Sequence, residues 1–212
     1  HKHMAKRAIS IDDIMKMRFN IMEFKGEFEA SFGKPEMSGS WIIWGNSGNG
    51  KTRLSMQLSK HLTNFGKVAY NTLEEGARKS FQKAVEDNKM WECKKGKFVI
   101  LDGEKYDDLV ERLSKKRSPE IIIIDSIQYS GLDINKYKKL KTQFPKKLFI
   151  YVSHAQGRLP KGRLADSVRY DADLKIRVEG YKAFPAGRLN GGGFPFTIWE
   201  DGAADYWSEI EP

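Results

Sequence analysis

Gly45-Asn46-Ser47-Gly48-Asn49-Gly50-Lys51-Thr52 follows the apolar run Trp41-Ile42-Ile43-Trp44 and precedes a segment with Leu54, Leu58, His61, Leu62 and Phe65 at helical spacing, closed by Gly66. It is a complete G-x-x-x-x-G-K-[ST] pattern. Such a pattern arises by chance in a glycine-rich loop, but it becomes specific when a strand leads in and a helix leads out. Glycines let the backbone curl with its N–H groups turned inward, which makes a concave anion site at the start of a helix whose dipole adds positive potential. The reading is a nucleoside triphosphate held by Gly45, Asn46, Ser47, Gly48, Asn49 and Gly50. Lys51 reaches the β and γ phosphates, Thr52 offers its hydroxyl to Mg²⁺, and Arg53 stands next in the first helical turn.

Outward from this loop the chain alternates. Strands are expected over 67–72, 98–101, 120–125 and 148–153, with helices over 77–94, 106–116 and 134–142 between them. Short apolar runs separated by amphipathic segments predict an α/β fold with a mostly parallel twisted sheet and crossover helices. Past 153 the pattern changes to strand-like pieces near 174–178, 181–184 and 194–199 with glycines between them, which reads as an antiparallel C-terminal β extension. Ser10, Asp12 and Asp13 open a helix expected to run to about Phe32, with a break near Gly26. That gives an N-terminal helical segment over 5–37 and one nucleotide-binding domain over 38–212. His1-Lys2-His3-Met4 reads as a vector remnant, so its histidines are set aside as metal ligands.

Ile121-Ile122-Ile123-Ile124-Asp125 is a buried strand ending in a carboxylate, placed to hold Mg²⁺ at the carboxyl edge of the sheet together with Thr52. Glu74 and Glu75 follow the strand 67–72, where one of them can orient the attacking water, with Glu74 ahead of Glu75; equally, both acids suit the start of a helix. His154, with Gln156 as a rival, ends the strand 148–153 and can sense the γ-phosphate. Two segments carry cations suited to a nucleic-acid backbone: the glycine-flanked stretch with Arg158, Lys161 and Arg163, read as a mobile loop, and the stretch with Lys136 and Lys138. Each can also be a solvated basic surface.

Composition sets bounds. The 212 residues carry 37 Lys plus Arg against 28 acids, a net charge of +9, in the range of nucleic-acid-binding domains. No apolar stretch approaches the roughly 20 residues that cross a bilayer. A single cysteine, Cys93, leaves no internal disulfide and no Cys-rich zinc module, which fits a reducing, cytoplasmic setting.

The chain resembles the ATPase core of the RecA superfamily, with RadA-type and DnaB-type proteins as the nearest in pattern. The likeness rests on Gly45 to Thr52, on Asn71-Thr72-Leu73-Glu74-Glu75 as the strand with the catalytic glutamate, on Ile124-Asp125-Ser126-Ile127-Gln128 as the second nucleotide motif, and on Ser153-His154 at the sensor position. The resemblance implies an ATP- and Mg²⁺-dependent ATPase that forms a homo-oligomeric ring or filament on single-stranded DNA, in recombination, repair or replication. It also implies that Arg158 to Arg163 and Gly131 to Lys141 are the DNA-contacting loops. Arg188, in Ala186-Gly187-Arg188, resembles the Lys-x-Arg piece such ATPases insert into a neighbour's site; Ala186 replaces the lysine, and Lys182 is a rival. Two alternatives share these motifs: an ATP-switched scaffold or regulatory NTPase that does not touch DNA, and a replicative helicase or loader core.

Overall fold

The computed structural model describes residues 5–210. His1 to Met4, expected to be vector-derived, lie outside the described residues.

The alternation read from the sequence is the architecture. Strand β1 (Gly39–Gly45) leads through α3 (Lys51–Leu62) to β2 (Val68–Thr72), then through α4 (Lys79–Asp87) to β3 (Phe98–Leu101). The chain continues through α5 (Tyr106–Leu113), β4 (Ile121–Asp125), α6 (Ile134–Gln143) and β5 (Leu148–Gln156). A short β6 (Leu159–Pro160) folds back on β5, and α7 (Arg163–Asp171) leads to β7 (Leu174–Glu179). Spatially the main path runs β3-β2-β4-β5-β1-β7, all parallel, and is extended antiparallel by β8 (Lys182–Gly187) and β9 (Phe196–Thr197). Helix α8 (Glu200–Ile210) ends the described chain.

Side chains alternate across each strand, so a sheet buried on both faces feeds two cores. Trp41 and Ile43 enter one, with Phe24, Phe32, Leu54, Leu58, Leu62 and Phe81; Ile42 and Trp44 enter the other, with Leu109, Leu113, Tyr137, Leu140 and Val168. Each fully buried large apolar side chain contributes about 1.5–3 kcal/mol. The two layers therefore hold the strand ends rigidly in one row. Among the described residues no helix is long and apolar enough to cross a membrane.

Four expectations need correction. The helix expected from Ser10 to Phe32 is two short ones, α1 (Ile11–Lys16) and α2 (Gly26–Phe32), joined by extended chain that bridges Ile21 to Glu36. Met22 and Phe24 are buried on the core while no residue of α1 is, so packing overrides helix propensity in the middle. The helix over 77–94 starts later, at Lys79, and stops at Asp87, where Lys89 takes a positive φ of 53° before one 3-10 turn, Met90–Glu92. The segment read as a mobile glycine loop is the β5–β6 hairpin followed by α7, with Gly162 at the helix start. Finally, α8 occupies a stretch for which no helix was expected.

Candidate nucleotide-binding site

The phosphate loop leaves β1 between its parallel neighbours β5 and β7 and enters α3. Gly48 (φ 78°) and Gly50 (φ 104°) both occupy the left-handed region, which a side chain resists. At Gly50 there is a further reason: a Cβ would stand 3.0 Å from Tyr181 Cδ1. Helix α3 has no side-chain cap and no acid in its first turn. Its leading N–H groups and the positive end of its dipole are thus left for an anion. Lys51 Nζ donates to Gly45 O at 2.6 Å, folded back across the loop. Burial lowers its pKa, against the opposing pull of Asp125 and Glu74.

Asn49 locks this loop to the sheet extension. Its Oδ1 accepts the Gly180 N–H at 2.8 Å, its carbonyl accepts the Tyr181 N–H at 3.0 Å, and its amide donates to Asn46 O and Ser47 O at 3.3 Å each. Behind it, Tyr181 meets Trp199 edge to face, and the Arg53 guanidinium lies 5.4 Å from the Trp199 ring centroid.

The acids arrive from the neighbouring strand ends. Thr72 pairs with Asp125, and the Leu73 and Glu74 N–H groups both donate to Asp125 O, at 2.7 and 3.3 Å. The exit of β2 is thereby stapled to the end of β4. Asp125 Oδ2 accepts from the buried Tyr70 hydroxyl at 2.5 Å. Burial raises the Asp125 pKa, and the Tyr70 hydrogen bond opposes that rise. Glu74 Oε2 accepts from Ser126 Oγ at 2.9 Å and lies 2.8 Å from His154 Nε2. Gln128 braces the far side: it donates to Ser153 Oγ at 2.7 Å and Lys161 O at 2.9 Å, and accepts from the His154 N–H at 3.1 Å.

One cleft of about 540 Å³ is lined by Gly48, Lys51, Thr52, Glu74, Asp125 and His154, while Asn49, Tyr70 and Gln128 support it from outside that lining. That volume suits a small ligand site. Among the described residues no three of His, Cys, Asp and Glu converge as a metal cage. A hydroxyl and one carboxylate beside a phosphate cradle is nonetheless the kind of set Mg²⁺ accepts, since it keeps waters and takes substrate phosphates as ligands.

Of the residues read from the sequence, Gly45, Asn46 and Asn49 belong to the phosphate loop but do not line the cleft, and the rest fall into three groups. Ser47, Gly48, Gly50, Lys51, Thr52, Arg53, Glu74, Asp125 and His154 share the cleft, and Glu75 lines it too. Gln156, the rival of His154, is exposed on the hairpin instead. Arg158, Lys161 and Arg163 are exposed on the hairpin and α7 start, joined to the site by Lys161 N–H donating to His154 O at 2.8 Å. Lys136 and Lys138 sit on α6, with Lys136 5.5 Å from the Tyr106 ring centroid. Arg188 follows β8, whose end pairs Gly187 with Leu174 at the start of β7. It therefore stands at the edge opposite its own phosphate loop, paired with Asp173 at 3.0 Å and with its side chain 80% exposed. Lys182 pairs with Glu179 at the phosphate-loop edge. Sequence reasoning passed over Tyr70, Tyr181 and the bracing role of Gln128. Nothing local marks a tyrosine inside an apolar strand as the partner of a carboxylate on another strand.

No protein-family model matches the sequence, and no curated protein matches it. Among solved structures, the flagellar accessory protein FlaH from Methanocaldococcus jannaschii superposes with a TM-score of 0.58 at 15% identity, over 84% of this chain and 92% of that one. The fold is RecA-like. At that identity the likeness speaks for the RecA-like architecture alone: a mostly parallel sheet between helices, with antiparallel strands at its C-terminal side.

Proposed function

We propose that this chain is a Mg²⁺-dependent ATPase acting on DNA. The observation that carries the reading is the convergence of Lys51, Thr52, Glu74, Asp125 and His154, from four strand ends, on one cleft at the carboxyl edge of the sheet. Loop amides and Lys51 would bind the phosphates. Thr52 and Asp125 would hold Mg²⁺, whose chemistry there is neutralisation of charge on the phosphate oxygens. Glu74 orients water and takes its proton, while His154 and Ser126 keep the Glu74 carboxylate in place. Tyr181 packs against the loop at Gly50, and Trp199 backs Tyr181. Arg188 faces away from its own loop, so it would complete the site of an adjacent protomer in a ring or filament. The basic hairpin, one hydrogen bond from His154, would take the DNA backbone.

Phosphate release by the purified chain, with and without single-stranded oligonucleotide, tests this. Turnover should rise with DNA and fall about 10²–10⁴-fold in Glu74→Gln with Mg²⁺-ATP affinity retained, the range for loss of a general base. Turnover indifferent to both DNA and Glu74 would contradict it.

A second reading is an ATP-switched assembly factor without DNA contact. It is favoured by the apolar side chains of Ile9, Ile11, Ile14, Met15, Met17 and Phe19, all exposed, which is the character of a protein-docking surface. The neighbour FlaH is likewise described as an accessory protein. Absence of oligonucleotide binding at low salt, with ATP-dependent self-association, would select this reading.

A further inference from the structure

The edge of the sheet opposite the phosphate loop carries a charge pattern of its own. Phe98 pairs with Val68, Val68 with Ile121, and Ile121 with Leu148. The starts of β3, β2, β4 and β5 therefore stand in one row, which at about 4.8 Å per strand is about 14 Å long. Into that row the chain delivers Lys94 and Lys97 before β3, Lys115, Lys116 and Arg117 before β4, and Lys146 before β5. All are exposed except Lys97, which is half-buried, and among the described residues none of the six has an ion-pair partner.

The two acids beside these four strand starts are already engaged. Glu92 lies 3.3 Å from Lys60 Nζ, and Glu120 Oε2 accepts the Lys67 N–H at 2.7 Å. The opposite ends of the same strands carry Glu74, Glu75, Asp102, Glu104 and Asp125. Lysines that only solvated the surface would be interleaved with free acids; beside these four strand starts six cations stand against two acids, both already engaged. A cleft of about 520 Å³ opens beside the row, with Lys60, Lys94 and Lys97 on its walls.

We infer that this edge is a second polyanion-binding face that takes the sugar-phosphate backbone of a nucleic acid, separate from the β5–β6 hairpin. A duplex presents one phosphate per 3.4 Å of axis on each strand, so a row of about 14 Å meets about four of them, and clustered unpaired cations gain from releasing their counterions. None of the six residues lines the phosphate cleft, so the inference does not rest on the ATPase reading.

The test is a multiple variant, Lys94→Ser, Lys115→Ser, Lys116→Ser, Arg117→Gly and Lys146→Ser. Glycine suits position 117 because Arg117 has a φ of 61°. Affinity for fluorescently labelled single-stranded and duplex oligonucleotides is measured across a salt series, with Mg²⁺-ATP affinity followed separately. Expected is at least a tenfold loss at low salt, and a salt dependence flattened by about 0.9 in logarithmic slope per lost duplex phosphate contact. Mg²⁺-ATP affinity should be unchanged. The single variant Lys116→Glu gives the same reading should the multiple variant fail to fold. Unaltered affinity and slope would overturn the inference, as would loss of binding to phosphatidylserine vesicles with oligonucleotide binding intact. Arg158→Ser with Lys161→Ser and Arg163→Ser should produce a further, independent loss; if that variant alone removes all binding, the second face does not exist.

Discussion

Glu74 Oε2 and His154 Nε2 lie 2.8 Å apart although 80 positions separate the two residues in sequence. The contact ties the exit of β2 to the end of β5, and Gln128 sets its geometry by gripping the His154 backbone and the Lys161 carbonyl together. Whatever displaces the hairpin must therefore disturb the carboxylate. Gln128→Ala should lower kcat about tenfold with KM for ATP little changed, and reduce any stimulation by DNA. Gln128→Glu should not rescue it, because a carboxylate cannot donate to Ser153 and Lys161. Steady-state kinetics with and without oligonucleotide decide this; a change confined to KM would mean Gln128 belongs to nucleotide binding instead.

Under the proposed function, Tyr70 sets the acid limb of Mg²⁺ binding. Its hydroxyl opposes the rise that burial imposes on the Asp125 pKa. Mg²⁺ requires the ionised carboxylate, so Mg²⁺-ATP affinity should fall as pH drops through the raised pKa. Tyr70→Phe removes the opposing hydrogen bond and should move that limb to higher pH. Stability follows the reverse sign: a carboxyl whose folded pKa is raised favours the fold below its unfolded pKa, and that contribution is lost as pH rises through the folded pKa. Calorimetric titrations across the acid range, in both proteins, measure the shift.

Arg188 offers a complementation experiment. Since it faces the edge away from its own phosphate loop, Lys51→Ala and Arg188→Ala should each be inactive alone. Mixing them should restore turnover wherever an intact Lys51 site meets an intact Arg188 from a neighbour. Loss of the exposed Arg188–Asp173 pair should cost no more than about 1 kcal/mol of stability. Full activity of Arg188→Ala would assign the pair a structural role only.

Asn49 is a variable position of the phosphate-loop pattern, yet it bonds to Gly180 and to two loop carbonyls. Asn49→Ala leaves the part-buried Gly180 N–H unpaired, at a cost of about 1–3 kcal/mol. Thermal unfolding should detect that loss, and nucleotide affinity should weaken with it. Asn49→Asp keeps the acceptor and should retain most of the stability.

The readable parts of this protein were those written locally. The phosphate-loop pattern and the Ile121–Asp125 strand are each written within a few residues, whereas the acids after β2 leave Glu74 and Glu75 open in sequence and both line the cleft. Helix α7 was hidden by its flanking glycines: Gly162 looked like loop punctuation and in fact stands at the helix start with φ 94°. Helix α8 was hidden by Gly202 in its first turn, where a Cβ would stand 2.2 Å from Trp199 Cε3. The Tyr70–Asp125 and Glu74–His154 pairs, and the row of cations at the strand starts, depend on strand order. Strand order follows from packing across the whole sheet and has no local signature.

Binding of Mg²⁺-ATP to the phosphate loop is the claim beneath the functional account. Titration calorimetry of the unaltered protein and of Lys51→Ala, with millimolar Mg²⁺-ATP, tests it most directly. The account requires a saturable heat for the unaltered chain that is lost or weakened at least a hundredfold in Lys51→Ala. No heat from either protein, or equal heats from both, would contradict it.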